Sequence, residues 1–413
     1  MSLIGSPDEA MARARAMADI PEQSMLPSQR ALFDIPREIC YLNAASWSPL
    51  PLATQEAARA AVGRKGRPWT LDAGFAARQH DRARRAAAAL INADPDDVAL
   101  ISSVSYGVAT AAKLLRVVSG TRVLVLQDDH SSAVLEWTTR AAAQGFTVEP
   151  VPQPADGDWT AALLAAIGRP GAPPVGLASI SSVHWSDGGL VDMERVAAAL
   201  HAQGAALLVD ATHSVGVIRT DVRRLDPDFL VFPTYKWLVG PYGRAFLYVA
   251  KRHQDGVPLE QTSYGRRAVA AEQATYFRDT GYVAGGRRFD MGERDHFISL
   301  EMAAIGMELV AQWGAEAVTA RLAMLTGRLA DGLKNSGALV PDAAVRAPHV
   351  LSLRFPKGMP AGLVERLAAE HVYVAPRIGR MRISPHVYND EEDADRFVEV
   401  FGRLVGRSGE GRA

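Results

Sequence analysis

The sequence predicts an α/β protein built on a mainly parallel sheet, with a smaller α+β domain after it. Three observations predict this. The 413 residues exceed what one core usually supports, because single cores stop growing near roughly 250 to 300 residues. Between about Pro51 and Ala250, Ala-rich helical stretches alternate with short runs of Val, Leu and Ile, the pattern of βα units. Beyond Leu300 the pattern changes to long helix, short strands and a closing helix.

Strands are expected at Val98 to Ser102, Arg122 to Gln127, Val175 to Ser181 and Ala205 to Asp210, each an apolar run flanked by helix-like sequence. Phe229 to Phe232 and Ala245 to Val249 add two more. From Leu300 to Asn335, the spacing of Met302, Ile305, Leu309 and Trp313 predicts one or two long helices. Val350 to Phe355, Val372 to Val374 and Met381 to Ser384 then read as strands, and Glu391 to Val405 as an amphipathic helix. The expected organisation is an N-terminal segment (1–45) packed on the small domain or on a partner, a large domain (46–295) and a small domain (296–413).

Composition narrows the function. Hydrophobic residues make up 48% and charged residues 22%, as in globular proteins. With 45 basic against 46 acidic residues, no global field gathers polyanions or docks on anionic lipid, so neither nucleic acid nor membrane is an expected partner. Cys40 is the only cysteine, which rules out an intramolecular disulfide framework and a multi-thiolate metal site. No metal is expected. The first thirty residues lack the apolar core of a signal peptide, and no run approaches the roughly 20 apolar residues that span a bilayer. A soluble protein of the cytoplasm is expected.

The chemistry concentrates in a few segments. In LLVDATHSVG an apolar strand, Leu207 to Val209, ends abruptly in Asp210, and ligands in open α/β sheets sit at such carboxyl ends. Taken alone, Asp210 also suits a helix cap or an Asx turn. The next strand runs into PTYKWLVGPYG, placing Lys236 among Tyr235, Trp237 and Tyr242. Such surroundings disfavour the charged amine and make it more nucleophilic, as Schiff-base chemistry requires. A carboxylate facing a pyridinium nitrogen and a lysine joined to the same ring's aldehyde carbon are two halves of one device, and Asp210 and Lys236 fit both.

Upstream, ISSVSYGVATAAKLL is a strand, a hydroxyl-rich turn and a helix. The free N–H groups at the helix start, with Ser103 and Ser105, can hold a phosphate, or the serines simply cap the helix. His130, in VLVLQDDHSSAVLEW, follows a strand at a position suited to stacking on a flat cofactor and moving protons, or to capping. His213 either reaches a cofactor's phenolic oxygen or caps the next helix. Near the C-terminus, strand alternation puts Arg380 and Arg382 on one face, with Met381 and Ile383 on the other. Arg382 is the candidate to grip a substrate carboxylate.

In this order, the segments from YLNAASWSPLP at Tyr41 through RRFDMGERDHF near Arg287 to RISPHVYN at Tyr388 resemble the class V aminotransferase family. That family includes cysteine desulfurases, kynureninases and isopenicillin N epimerases. The resemblance implies the fold-type I architecture and pyridoxal 5′-phosphate as cofactor, with Lys236 as its internal aldimine, Asp210 on the pyridine nitrogen and His213 near the phenolic oxygen. It also implies that Val104 through its backbone, Ser105 and Tyr235 hold the phosphate, that His130 stacks on the ring, and that Arg382 binds the substrate carboxylate. Asn43 and Trp185 match positions near the substrate. A homodimer is implied as well.

The chain departs from the family in two places. No cysteine lies between His371 and Arg382, and Cys40 is distant in sequence, so a cysteine desulfurase is not expected. Gly292-Glu293 stands where relatives often carry Gly-Thr, and a carboxylate there would repel a phosphate. Transamination of a small amino acid is the leading expectation, and epimerisation, kynureninase-like cleavage or C–S lysis uses the same Cα chemistry. A dinucleotide-dependent dehydrogenase is disfavoured because no G-x-G-x-x-G follows the first strand. A binding protein without turnover would not need both Asp210 and Lys236.

Overall fold

The computed structural model describes residues 25–268 and 279–410. The chain forms two compact units, a larger one of residues 50–185 and 191–312, and a smaller one of the described residues up to Pro49, Ser186–Leu190 and the chain from Trp313. The helix over residues 297–312 thus belongs to the larger unit, and the boundary falls beyond the expected residue 295. Gly314, at φ 80°, separates helix Phe297–Trp313 from helix Ala315–Gly332. That backbone conformation suits glycine and breaks the run that sequence periodicity leaves continuous.

The smaller unit opens with β1 (Cys40–Tyr41). The larger unit carries β2 (Val98–Ile101), β3 (Arg122–Leu126), β4 (Thr147–Val151), β5 (Val175–Ser181), β6 (Ala206–Asp210), β7 (Phe229–Pro233) and β8 (Ala245–Val249). These form one sheet in the order β2-β8-β7-β6-β5-β3-β4. Strands β3 to β7 pair in parallel, while β8 is antiparallel to both β7 and β2. Strands β2, β3, β7 and β8 are buried at every position, which is why they read as unbroken apolar runs. Val123, Leu177, Leu208, Val231 and Leu247 join Trp137 in the core of this unit.

Strand β4 was not anticipated. Its sequence, TVEPV, is exposed or half-buried up to Val151 and contains a proline, a composition that suits only a sheet edge. A short antiparallel pair, β9 (Arg266–Ala268) and β10 (Asp279–Tyr282), flanks residues outside the described set.

One buried ion pair ties helix Phe75–Leu90 to the β2 edge. Arg84 donates to both Asp290 oxygens at 3.0 and 2.7 Å, and Asp290 Oδ1 also accepts from Leu100 N at 2.8 Å. Arg84 bonds Val98 O and Arg294 bonds Asp290 as well. Burial acts to raise the Asp290 carboxyl, but Arg84 and the other donors outweigh it and hold the group below the ordinary carboxylate range.

In the smaller unit, β11 (Leu351–Arg354), β14 (Arg380–Ile383) and β13 (Ala375–Arg377) form an antiparallel sheet in that order, and β12 (Val372–Tyr373) pairs in parallel with β1. Leu351, Leu353, Met381 and Ile383 pack with Phe397 and Phe401 of helix Glu391–Glu410. The N-terminal segment is fastened here: Gln29 N donates to Val387 O at 2.8 Å, and Arg30 and Arg37 pair with Asp393 at 3.0 and 2.9 Å. Residues 1–24, part of the segment expected to pack on the small domain or a partner, lie outside the described residues.

Among the described residues, no helix is long and apolar enough to cross a membrane, and no group of three or more His, Cys, Asp or Glu is placed to hold a metal ion.

Candidate active site

Because β3, β5, β6 and β7 run in parallel, their carboxyl ends lie along one edge of the sheet, and a cleft opens there. Asp210, His213, Tyr235, Lys236, His130, Trp185, Val104 and Ser105 all line it. Sequence reasoning had selected all eight.

Asp210 is the last residue of β6 and is buried, with Oδ1 accepting from Thr212 N at 2.9 Å in an Asx turn. The Asx reading and the cleft reading thus hold together. Strand β7 ends at Pro233, and the chain folds back so that Gly240 N donates to Thr234 O at 2.9 Å and Thr234 Oγ1 to Pro241 O at 2.7 Å. Lys236 stands in this closed loop, buried at 8% exposure. Val239, fully buried, sits at φ 43°, a left-handed conformation that costs a β-branched residue of order 1 to 3 kcal/mol. Helix Phe297–Trp313 holds the strained turn in place, since Gly306 lies directly against Leu238 O and a Cβ there would collide with it. Gly306→Ala is therefore expected to destabilise the protein by about 1 to 3 kcal/mol and to weaken cofactor binding, checked by thermal unfolding and absorbance titration.

Lys236 Nζ lies 3.1 Å from His213 Nε2, and Trp237 Nε1 donates to His213 Nδ1 at 3.0 Å. An indole N–H only donates, so Nδ1 accepts and the neutral ring carries its proton on Nε2. That N–H faces Lys236 Nζ, an amine that can accept it only through a lone pair. Trp237→Phe removes the bond that fixes the tautomer and is expected to lower kcat about tenfold, the equivalent of one ordinary hydrogen bond. Steady-state rates across pH check this.

His130 caps helix Ser131–Gln144, its Nδ1 accepting from Ser132 N at 3.4 Å. It also meets the Trp185 ring edge-on at 5.8 Å, and Trp185 Nε1 is anchored to Asp128 O at 2.7 Å. Partial burial holds the imidazole below its usual pKa, with Asp210 acting upward and Lys236 downward, so it is neutral near pH 7.

Ser103 caps helix Val104–Leu114 by accepting from Tyr106 N at 3.1 Å. The first intrahelical donor is Gly107 N, to Ser103 O at 3.2 Å, so the N–H groups of Val104 and Ser105 precede the ladder and suit an anion. Gly107 lets the helix start press on β7, because a Cβ there would lie 2.7 Å from Val231 Cγ2. Ser105 Oγ bonds Ser132 Oγ at 3.1 Å.

Asn43 and Arg382 belong to the smaller unit. Arg382, 1% exposed, donates from Nη2 to Ser46 Oγ at 2.7 Å, and Ser46 Oγ donates to Asn43 Oδ1 at 2.7 Å. Arg377 Nη2 reaches the same serine at 2.7 Å. Met381 and Ile383 point into the core, so Arg380 and Arg382 occupy the other face of β14, as alternation requires.

The sequence reading named Trp237 only as a neighbour of Lys236, and it missed Arg377 and Ser46 as well as Arg244, which lines the cleft. Arg244 left one signal, a charge opening the otherwise apolar run of β8.

The model of the class V aminotransferase family matches residues 55–397. The chain belongs to the class V aminotransferase family. It is similar to isopenicillin N epimerase of Streptomyces clavuligerus, at 28% identity over 79% of this chain and 84% of that protein. Kynureninase of Deinococcus radiodurans is 29% identical over 65% of this chain and 64% of its own length. A solved structure of a C-DES variant with glycine covalently linked to its PLP cofactor superposes at a TM-score of 0.80, with 21% identity, covering 91% of this chain and 99% of that one. The fold is that of the fold-type I enzymes.

Pyridoxal 5′-phosphate is the cofactor of this class V aminotransferase family member. The donor set of the cleft fits it: a buried amine, a buried carboxylate at a strand end, and a helix start whose Val104 and Ser105 N–H groups precede the helical ladder.

Proposed function

We propose that the protein is a pyridoxal-phosphate enzyme that moves a proton at the α-carbon of a small amino acid. Transamination is the reaction that the family's name denotes. The observation that carries the reading is Lys236 Nζ at 3.1 Å from a neutral His213 in the same cleft as Asp210. The cofactor, when bound, supplies an electron sink for the charge left as a bond at Cα breaks.

Asp210 would hold a proton on the cofactor's ring nitrogen, and His213 would serve the phenolic side. His130 would cover the ring face, while Val104, Ser105 and Tyr235 would receive the phosphate. Lys236 Nζ takes the Cα proton as general base and returns it as general acid. The substrate carboxylate is assigned to Arg382, whose guanidinium Ser46 already orients at 2.7 Å and whose fork matches a carboxylate. Asn43, through Ser46, and Trp185 are assigned to substrate contacts.

Epimerisation or lyase chemistry is the second reading, favoured by the activities named for the relatives above, and it begins with a bond breaking at the same carbon. Cysteine desulfuration is not proposed. The thiol of Cys40 is fully buried in the smaller unit, and burial, with Asp393 nearby, pushes its pKa far up, so no accessible thiolate is available to carry sulfur.

A panel of amino acids incubated with holoenzyme in D2O tests the reading by loss of the α-proton NMR signal. Keto acid, inverted amino acid, or cleaved product then separates the three branches. Failure of every amino acid to exchange would overturn it. A homodimer is also proposed, and light scattering at twice 44.3 kDa is its expected result, whereas a single-chain mass would contradict it.

A further inference from the structure

We infer that Arg244 is a ligand for the phosphate group of the cofactor, acting beside the start of helix Val104–Leu114. The inference rests on the cofactor placement proposed above and extends it to a residue that the family resemblance did not include.

A buried charge is costly unless it is paired. Arg244 is only 4% exposed, and the one hydrogen bond of its side chain among the described residues is Nε to Ser299 Oγ at 2.6 Å. Nη1 is buried with no partner among the described residues. No described carboxylate offsets the charge, and burial alone draws its pKa down to about 10. A guanidinium left in this state is a cation awaiting an anion.

Strand register indicates which anion. Ile101 pairs with Ala245 across the antiparallel β2 and β8, which brings Arg244 level with Ser102, one residue before the Ser103 cap. On its other side, Thr234 N donates to Arg244 O at 3.0 Å, two residues before Lys236. Arg244 thus stands between the helix start and the lysine loop, and it lines the same cleft as Ser102, Ser103 and Ser105. An anion bound there would meet the positive end of a helix dipole and a full positive charge together. Anchoring Ser299 explains Nε alone and leaves the fork unused.

The test compares pyridoxal phosphate with pyridoxal, which lacks the phosphate, by absorbance titration of apoprotein. Arg244→Met is expected to raise the Kd for pyridoxal phosphate about ten- to hundredfold while the Kd for pyridoxal stays within about twofold. Inorganic phosphate should compete with the cofactor on the wild-type protein and lose that effect in the variant. Equal weakening of both aldehydes, or of neither, would overturn the inference. Should Arg244→Met not fold, Arg244→Lys decides, since it keeps the charge and loses the fork. A selective loss of severalfold for pyridoxal phosphate supports the assignment, and an unchanged preference defeats it. Ser105→Ala is run alongside. If it weakens the phosphorylated form selectively and the Arg244 variants do not, Arg244 alone is wrong; if no variant is selective, the proposed placement of the phosphate fails with it.

Discussion

Lys236→Ala is expected to slow α-proton exchange by about 10²- to 10⁴-fold, the usual contribution of a positioned general acid and base. The amine lies 3.1 Å from His213 Nε2 in the cleft, and alanine removes it. Because the loop that carries Lys236 is closed by backbone and side-chain bonds of Thr234, Gly240 and Pro241, the thermal midpoint should change little. Added small primary amines should restore part of the rate, since a diffusible base can enter the space the side chain vacates. Rates by NMR and unfolding by circular dichroism separate the chemical loss from a structural one. A variant that retained most of the exchange would remove Lys236 from the mechanism.

Asp290→Ala is expected to destabilise the fold by about 3 to 5 kcal/mol, the cost of leaving one member of a buried pair unmatched. Both side chains are at most 1% exposed, and the substitution strands the Arg84 guanidinium and the Leu100 N–H together. Converting both residues, Arg84→Met with Asp290→Leu, should recover much of the loss, because an apolar pair removes the buried charge as well as its partner. The pair also predicts a pH dependence. The folded carboxyl is held below its ordinary value, so its stabilising share is complete above the unfolded value, near pH 4, and fades as pH falls through the folded one. Urea midpoints measured from pH 7 down to pH 3 should therefore decline more steeply in the wild type than in the double variant.

The parts of the fold buried on both faces were legible from the sequence. β5 and β8 matched their expected bounds, and β6 and β7 ended within one residue of theirs, because strands buried on both faces are written as apolar runs. The edge strand β4 and the short β13 were hidden, since pairing on one side demands little of TVEPV or APR. The cleft was legible for a related reason. A single charge closing an apolar strand, as at Asp210, or standing among aromatics, as at Lys236, violates the local pattern and so announces a task.

What escaped was relational. Ser46 lies hundreds of positions from Arg377 and Arg382 in the chain, and no local pattern records that one hydroxyl will take both guanidinia. Trp237 stands in the sequence only as one of the aromatics around Lys236, and no local pattern records that its N–H fixes the His213 tautomer. Arg244 reads as a solvated strand end until its burial and missing counter-charge are known.

Whether Lys236 carries the cofactor is decided by borohydride reduction of the pyridoxal-phosphate-loaded protein followed by peptide mass mapping. A phosphopyridoxyl adduct is expected on the peptide containing Lys236 and is expected to be absent from the Lys236→Ala protein. An adduct on another lysine, or none at all, would contradict it.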